Sequence, residues 1–183
     1  MGATDSPRAV SLWHRPPLSR RTPMSALSIG ALAPDFTLPA EPGDPVTLSS
    51  LKGQAVVLYF YPKDSTPGCT TESCDFRDRE AELRAAGAIV FGISRDSLKS
   101  HANFRQKQAL GFPLLSDADG EVHRAYGAWG EKTMYGRTSV GAVRTTVLVD
   151  ADGRVAQVWS PVKVAGHAEA VLLAARGLSS ARG

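Results

Sequence analysis

The sequence predicts an α/β domain in which a central mixed β-sheet carries helices on both faces. The first observation is a pair of apolar segments, residues 55–61 and 88–94, separated by a helical segment at residues 67–86. Short apolar runs rich in β-branched and aromatic residues are typical of strands buried on both faces. The second observation is the Asp-Ala-Asp-Gly stretch at residues 150–153, a hairpin signal. Strands joined through a helix and then through a hairpin predict a sheet of mixed direction.

The other elements complete this order. Strands are expected within residues 33–48, where apolar side chains alternate across a Gly-Asp-Pro turn, and at residues 112–115, 144–149 and 155–159. Further helices are expected at residues 97–110, 120–129 and 165–176. Gly87 is placed to end the helix of residues 67–86, and Ser97 is a suitable cap for the next one. The predicted order is therefore β-α-β-α-β-α-β-β-α.

The length of 183 residues fits one domain, which we assign to residues 24–183. Residues 1–23 are rich in Arg, Ser and Pro and show no apolar period, so we expect a disordered extension. Met24 follows at once and is an alternative start of the chain. The competing interpretation of the extension is a short transit peptide, because it is rich in Arg and poor in acidic residues.

The distribution of charge argues against a nucleic-acid partner. Residues 1–23 hold four arginines and one aspartate, whereas the other 160 residues carry 17 basic and 17 acidic side chains. The net charge of +3 therefore belongs to the extension, and the remainder lacks the basic excess of a phosphate-binding surface. No apolar run approaches the roughly 20 residues that a membrane span needs. We expect neither nucleic acid nor a membrane as a partner.

The two cysteines, Cys69 and Cys74, are too few for a disulfide scaffold or a four-thiolate zinc site. In a reducing cytoplasm, the expected location, a close cysteine pair is more often catalytic than structural. The histidines are scattered, and none lies in a recognisable hydrolase or zinc-binding setting; they are His14, His101, His123 and His167. We therefore expect no metal and no organic cofactor.

Cys69 lies where a buried strand passes into a helix. Thr66 is suited to cap that helix and Pro67 to occupy its first position, which places Cys69 in the first turn. Free backbone N–H groups and the positive end of the helix dipole favour a thiolate there, and the thiolate is the reactive form. The alternative is a small buried cysteine with no chemical role. The Thr66 hydroxyl is suited both to capping and to donating a hydrogen bond to an incoming oxygen atom.

Cys74 follows Cys69 by five residues, and helix geometry keeps the two apart. In an ideal helix their Cα atoms are roughly 8 to 9 Å apart. A disulfide needs about 4.4 to 6.8 Å. Either the cysteines never meet, or the first turns unwind. Glu72 shares the helix face of Cys69, which suits it to hold a basic partner near the sulfur or simply to favour the helix dipole.

The segment around these residues resembles the active-site motif of the peroxiredoxins. Pro62, Thr66 and Cys69 match P-x-x-x-T-x-x-C, and the C-x-x-x-x-C spacing resembles the PrxQ, or bacterioferritin comigratory protein, subfamily. The likeness covers roughly residues 28–176 and includes stretches outside the central motif; these are residues 33–38, 76–78, 135–136, 141–146 and 166–167. The departures are the N-terminal extension and conservative changes in the late strand.

This resemblance implies a thioredoxin-like fold and a thiol peroxidase. By it, Cys69 is the peroxidatic residue and Cys74 the resolving one, while Thr66 and Arg144 bind the peroxide oxygens. Pro62 would shield the site, Glu72 would orient the arginine, and Gly68 would be a further supporting residue. The implied partners are a peroxide and a dithiol reductant such as thioredoxin, and the implied state is a monomer.

The role of Arg144 depends on that resemblance, because Arg144 lies 75 residues from Cys69 and would otherwise be interpreted as an edge-strand charge. A guanidinium there would favour the thiolate and stabilise charge on the leaving oxygen. The main alternative function is a thioredoxin-like disulfide oxidoreductase, although the chain lacks a C-x-x-C pair. A second alternative is a binding or chaperone-like domain with an incidental cysteine pair.

Overall fold

The computed structural model describes residues 27–182. The predictions for residues 1–23 and for Met24 therefore lie outside the described residues. The strands are β1 Thr37–Leu38, β2 Ala40–Glu41, β3 Val46–Thr47, β4 Ala55–Phe60, β5 Ala88–Ser94, β6 Leu114–Ser116, β7 Trp129–Met134, β8 Arg137–Ala142, β9 Thr145–Val149 and β10 Val155–Trp159. The helices are α1 Pro67–Ala85, α2 Leu98–Gln108, α3 Glu121–Ala125 and α4 His167–Ser180.

Six strands form the central sheet in the order β10-β9-β4-β5-β6-β2. The inner strands β4, β5 and β6 are parallel, whereas β9 runs antiparallel to β4 and β10 antiparallel to β9. The predicted mixed sheet is therefore confirmed. Its central strand β4 is buried along its whole length, as its unbroken apolar sequence predicts.

Alternate side chains of β4 enter two separate cores. Val57 and Tyr59 face the core that α1, α2 and α4 cover, whereas Leu58 and Phe60 face the opposite core, which Tyr126 closes. The sheet thus has helices on both faces, as the sequence predicts. Because β4 is fixed from both sides, the loop that leaves its carboxyl end starts from a rigid position.

One hairpin was absent from the sequence-based order. Residues 120–129 were predicted to be helical, but α3 ends at Ala125, and Trp129 begins the strand pair β7–β8. This hairpin forms its own two-stranded sheet, and its side chains are mostly exposed, with Tyr135 at its turn 98% exposed. Exposed strands need no apolar alternation, so the sequence carries no period-two signal for them.

Smaller differences occur at element ends. Leu48 begins a 3-10 helix, Leu48–Leu51, rather than extending a strand. Helix α4 continues through Gly177 to Ser180, beyond the predicted end at Arg176. In the part of the chain that the structure describes, no helix is both long enough and apolar enough to cross a bilayer.

Candidate active site

The candidate site lies at the carboxyl end of β4, where a six-residue loop, residues 61–66, leads into α1. Thr66 has the extended backbone of an N-cap residue, with φ −82° and ψ 152°, and Pro67 takes the first helical position. Cys69 therefore lies in the first helical turn, as the sequence predicts, and it is only 1% exposed to solvent. The sulfur thus occupies a protected place near the free N–H groups of the helix start.

Arg144 reaches this sulfur from the neighbouring strand. Strand β9 pairs antiparallel with β4 so that Thr145 lies opposite Phe60, which places the preceding residue at the same end of the sheet. Arg144 Nη2 donates a hydrogen bond to Cys69 Sγ over 3.4 Å. The backbone of Arg144 is held as well, because its carbonyl oxygen accepts from Val162 N at 2.9 Å. The sheet register thus joins two residues that are 75 positions apart.

Glu72 binds the other end of the same guanidinium. Arg144 Nη1 donates to Glu72 Oε2, so the arginine bridges the carboxyl group and the sulfur. Burial raises the pKa of Glu72 to about 7, although the charge of Arg144 and its hydrogen bond act in the opposite direction. Burial alone would lower the pKa of Arg144, but the nearby charges of Glu72 and Cys69 outweigh it and raise that pKa. Among residues 27–182, Glu72 Oε1 has no hydrogen-bond partner.

Gly68 provides the space for this arginine. A Cβ atom at position 68 would lie 3.1 Å from Arg144 Nη2, closer than ordinary van der Waals contact. Thr66 lies at the helix cap, but its hydroxyl donates to Lys63 O at 2.9 Å and makes no side-chain cap bond. Pro62 is half-buried in the same loop. Gly68 thus lies against the guanidinium, and the hydrogen bond to the sulfur comes from Arg144.

Cys74 lies in the second turn of α1 and is half-buried. Its Sγ donates to Gln108 Oε1 of α2 over 3.6 Å, and both cysteines are free thiols. The two therefore share one continuous helix, in which their Cα atoms are roughly 8 to 9 Å apart. In this conformation a disulfide between them cannot form.

A buried hydrogen-bond network that the sequence analysis missed fixes the loop. Asp64 Oδ1 accepts from the Tyr61 hydroxyl at 2.6 Å, and Oδ2 accepts from Ser100 Oγ and His101 Nδ1, both at 2.8 Å. Burial opposes the charge of Asp64, but these hydrogen bonds outweigh it and lower the pKa of the carboxyl group. His101 Nε2 lies 3.1 Å from the Leu115 carbonyl oxygen, so the ring bridges the loop to strand β6.

The described histidines are engaged elsewhere. His101 contacts Asp64, His123 Nδ1 contacts Asp117 Oδ2 at 2.5 Å, and His167 Nε2 contacts Thr146 Oγ1 at 2.7 Å. His14 lies outside the described residues. Within residues 27–182, no group of three or more His, Cys, Asp or Glu side chains is arranged to hold a metal ion.

Comparison with known proteins places this geometry in a family. Residues 29–158 match the model of the AhpC/TSA family. The peroxiredoxin Bcp of Xanthomonas campestris is 49% identical over 150 residues, which cover 82% of this chain and 94% of that protein. The peroxiredoxin Bcp of Escherichia coli is 44% identical over 149 residues, covering 81% and 96% of the two chains.

Solved structures give the same result. The bacterioferritin comigratory protein of Xanthomonas campestris, studied for alkyl peroxide reduction, superimposes with a TM-score of 0.77 at 47% identity, covering 84% of this chain and 98% of that one. A cysteine-to-serine mutant of Xylella fastidiosa PrxQ gives a TM-score of 0.78 at 39% identity, covering 87% and 99%. The fold is therefore thioredoxin-like, and the chain belongs to the AhpC/TSA family as a peroxiredoxin of the PrxQ, or bacterioferritin comigratory protein, group: a peroxidase that uses thiol chemistry.

Proposed function

We propose that Cys69 is the peroxidatic residue of this enzyme. Its thiolate attacks the terminal oxygen of a hydroperoxide, the O–O bond breaks, and the leaving oxygen takes up a proton to become water or an alcohol. The sulfur is oxidised to a sulfenic acid while the peroxide is reduced. The observation that carries this assignment is the hydrogen bond from Arg144 Nη2 to Cys69 Sγ, because a guanidinium at that distance favours the ionised sulfur.

The surrounding side chains support the same step. Arg144 is positioned to stabilise the charge that develops on the peroxide oxygens, and its second nitrogen is fixed by Glu72. We assign Thr66 the role of a second oxygen-binding group, since its hydroxyl lies at the N-terminus of α1. To bind a peroxide oxygen, this hydroxyl needs to break only its hydrogen bond to Lys63 O. Pro62 shields the sulfur from water, and Gly68 admits the arginine.

Cys74 is the resolving residue in this proposal. After Cys69 is oxidised, the first turns of α1 unwind, because the intact helix holds the cysteines too far apart. The Cys74 sulfur then attacks the Cys69 sulfur, the S–O bond of the sulfenic acid breaks, and the thiol proton leaves with the hydroxyl group as water. A disulfide remains. One helical turn is a small enough unit to open locally without global unfolding.

The peroxide substrates are hydrogen peroxide and organic hydroperoxides. The alkyl peroxide reduction studied in the Xanthomonas protein supports the organic class. The disulfide is returned to two thiols by exchange with a dithiol protein, for which thioredoxin or a similar reductant is suited. Sulfur itself carries the electrons, so the cycle needs no metal or organic cofactor.

The enzyme acts as a monomer in the cytoplasm, with residues 24–183 as its domain. A monomer is supported by the site itself, in which one chain supplies both sulfurs, the arginine and the carboxyl group. A reducing compartment is supported by the need for two free thiols at the start of each cycle.

Single-turnover and steady-state peroxide consumption test this proposal together. Wild type should consume one equivalent of hydrogen peroxide rapidly and then cycle when thioredoxin and its reductase are supplied. Cys69→Ser should consume none. Cys74→Ser should retain the first turnover but lose cycling through a disulfide. Slow wild-type consumption, at the rate of free cysteine, would favour a disulfide oxidoreductase or a non-enzymatic domain instead.

A further inference from the structure

Gln108 occupies a fixed point beside the second cysteine. It is the last residue of α2, and the next residue, Ala109, turns the chain through a left-handed conformation with φ 52°. Arg105 secures the chain beyond this point, since Nη2 donates to Leu110 O at 3.1 Å and Nε to Phe112 O at 3.0 Å. The carboxyl end of α2 is therefore tied to the buried residues Leu110 and Phe112 that follow it.

Both carbonyl oxygens of Gln108, in the side chain and in the backbone, accept hydrogen bonds from α1. The side-chain oxygen Oε1 accepts from Cys74 Sγ at 3.6 Å, and the backbone carbonyl accepts from Arg77 Nη1 at 2.7 Å. Arg77 lies one turn after Cys74 on the same side of the helix, and Asp78 Oδ1 holds its guanidinium at 2.9 Å. One residue of α2 thus holds two successive turns of α1.

The contact with Cys74 opposes the second chemical step. An amide oxygen only accepts, so this contact exists only while the Cys74 sulfur keeps its proton. To attack the oxidised Cys69, the sulfur must leave Gln108 and swing along the helix as the first turns unwind. We propose, given the assigned roles of the two cysteines, that Gln108 is a positioning residue that retains the Cys74 thiol against α2 and thereby sets the rate of disulfide formation.

The contact between Gln108 and Cys74 also affects how readily the oxidised enzyme is inactivated. While Cys74 is retained, the Cys69 sulfenic acid stays exposed to a second peroxide, which would convert it to a sulfinic acid with loss of activity. Peroxide supplies both oxygen atoms in that route and is reduced each time. A stronger hydrogen bond from Cys74 to Gln108 therefore increases irreversible oxidation of Cys69, and a weaker one protects Cys69 from it.

Two substitutions at position 108 should weaken or strengthen the hydrogen bond from Cys74. Gln108→Met removes the amide oxygen at nearly constant side-chain length, whereas Gln108→Glu offers the thiol a stronger, charged acceptor. Neither change removes the backbone carbonyl that Arg77 uses. Gln106→Met is the matched control, because Gln106 is exposed on the same helix.

Rapid quenching after one equivalent of hydrogen peroxide, with mass spectrometry of the products, separates the two steps. Gln108→Met should form the disulfide about two- to fivefold faster than wild type, and Gln108→Glu should form it slower by a similar factor. Excess peroxide should leave less sulfinic acid in the first variant and more in the second. Formation of the sulfenic acid and the melting temperature should match those of Gln106→Met in both.

Equal rates of disulfide formation in all three variants, or a shift in the same direction for Met and Glu, would overturn the role of Gln108. That result is distinct from failure of the proposed function, in which no sulfenic acid forms on Cys69 even in wild type. In that case the inference about Gln108 would be lost with it.

Discussion

Gly68 and Arg144 are in such close approach that any side chain at position 68 would press on the guanidinium. The missing Cβ would lie 3.1 Å from Nη2, the nitrogen that binds the Cys69 sulfur. Gly68 is a helical residue with no positive φ, so its backbone alone does not demand glycine. Glycine is therefore required at position 68 by the nearby guanidinium and not by the backbone conformation.

Gly68→Ala should separate activity from stability. The added methyl group displaces the end of a flexible side chain by a few tenths of an ångström, and we expect the rate constant for peroxide reduction to fall about tenfold. Stability should stay equal or rise by up to about 1 kcal/mol, because alanine favours a helix. Stopped-flow kinetics and chemical denaturation measure the two effects. Gly177→Ala in α4, where a Cβ meets nothing within 4 Å, is the control that should change stability alone.

Arg144→Lys should cost about a hundredfold in the rate constant for peroxide reduction. A lysine keeps the positive charge but lacks the planar guanidinium whose two ends bind Glu72 and the sulfur. Arg137→Lys on the exposed strand β8 tests whether an arginine-to-lysine change matters elsewhere. Similar rates for the two variants would show that the bridge to Cys69 is not needed for catalysis.

Glu72→Gln should change the pH dependence of stability. Because burial raises the pKa of Glu72 from 4.5 to about 7, the folded state holds this proton more tightly than the unfolded state does. Wild-type stability therefore falls, through this group, as pH rises across that interval, whereas the variant loses that dependence. The unfolding free energy of Glu72→Gln relative to wild type should rise on the order of 3 kcal/mol from pH 4 to about pH 8. Urea unfolding of the reduced proteins measures the difference, and a constant difference across pH would contradict the burial effect.

Asp64→Ala should destabilise the domain by about 3 to 5 kcal/mol, since it leaves the buried His101 ring, the buried Tyr61 hydroxyl and the half-buried Ser100 hydroxyl without their acceptor. The pKa of Asp64 is lowered in the folded state, so its contribution is present above pH 3.8 and lost as pH falls below that value. The loss caused by the variant should shrink accordingly in acid. Asp44→Ala, which removes an exposed carboxylate, is the control in thermal and chemical unfolding. A loss below about 1 kcal/mol for Asp64→Ala would show that the network adds little.

The sequence predicts the frame of the site because local signals coincide there. The apolar run of β4, Thr66 at the N-cap position and Pro67 after it together specify a strand, a loop and a helix start, and these place Cys69 in the first helical turn. The position of Arg144 could not be predicted from local sequence signals, because the antiparallel register of β9 on β4 brings it to the sulfur. The family resemblance predicted that Arg144 and Cys69 share the site.

The parts that sequence could not predict depend on distant partners or on exposure. Asp64 resembles any solvated loop residue until α2 brings His101, 37 positions away, against it. The contact of Gln108 with Cys74 likewise arises only from the packing of α2 against α1, because the two residues are 34 positions apart. The β7–β8 hairpin was missed for a different reason, since strands with no buried face lack the alternation that identifies a strand.

The most direct test of the account is mass spectrometry of the protein after one equivalent of hydrogen peroxide. We predict an internal Cys69–Cys74 disulfide in wild type and, in Cys74→Ser, a sulfenic acid on Cys69 that a carbon nucleophile traps. Two unmodified thiols, or oxidation that begins at Cys74, would contradict the account.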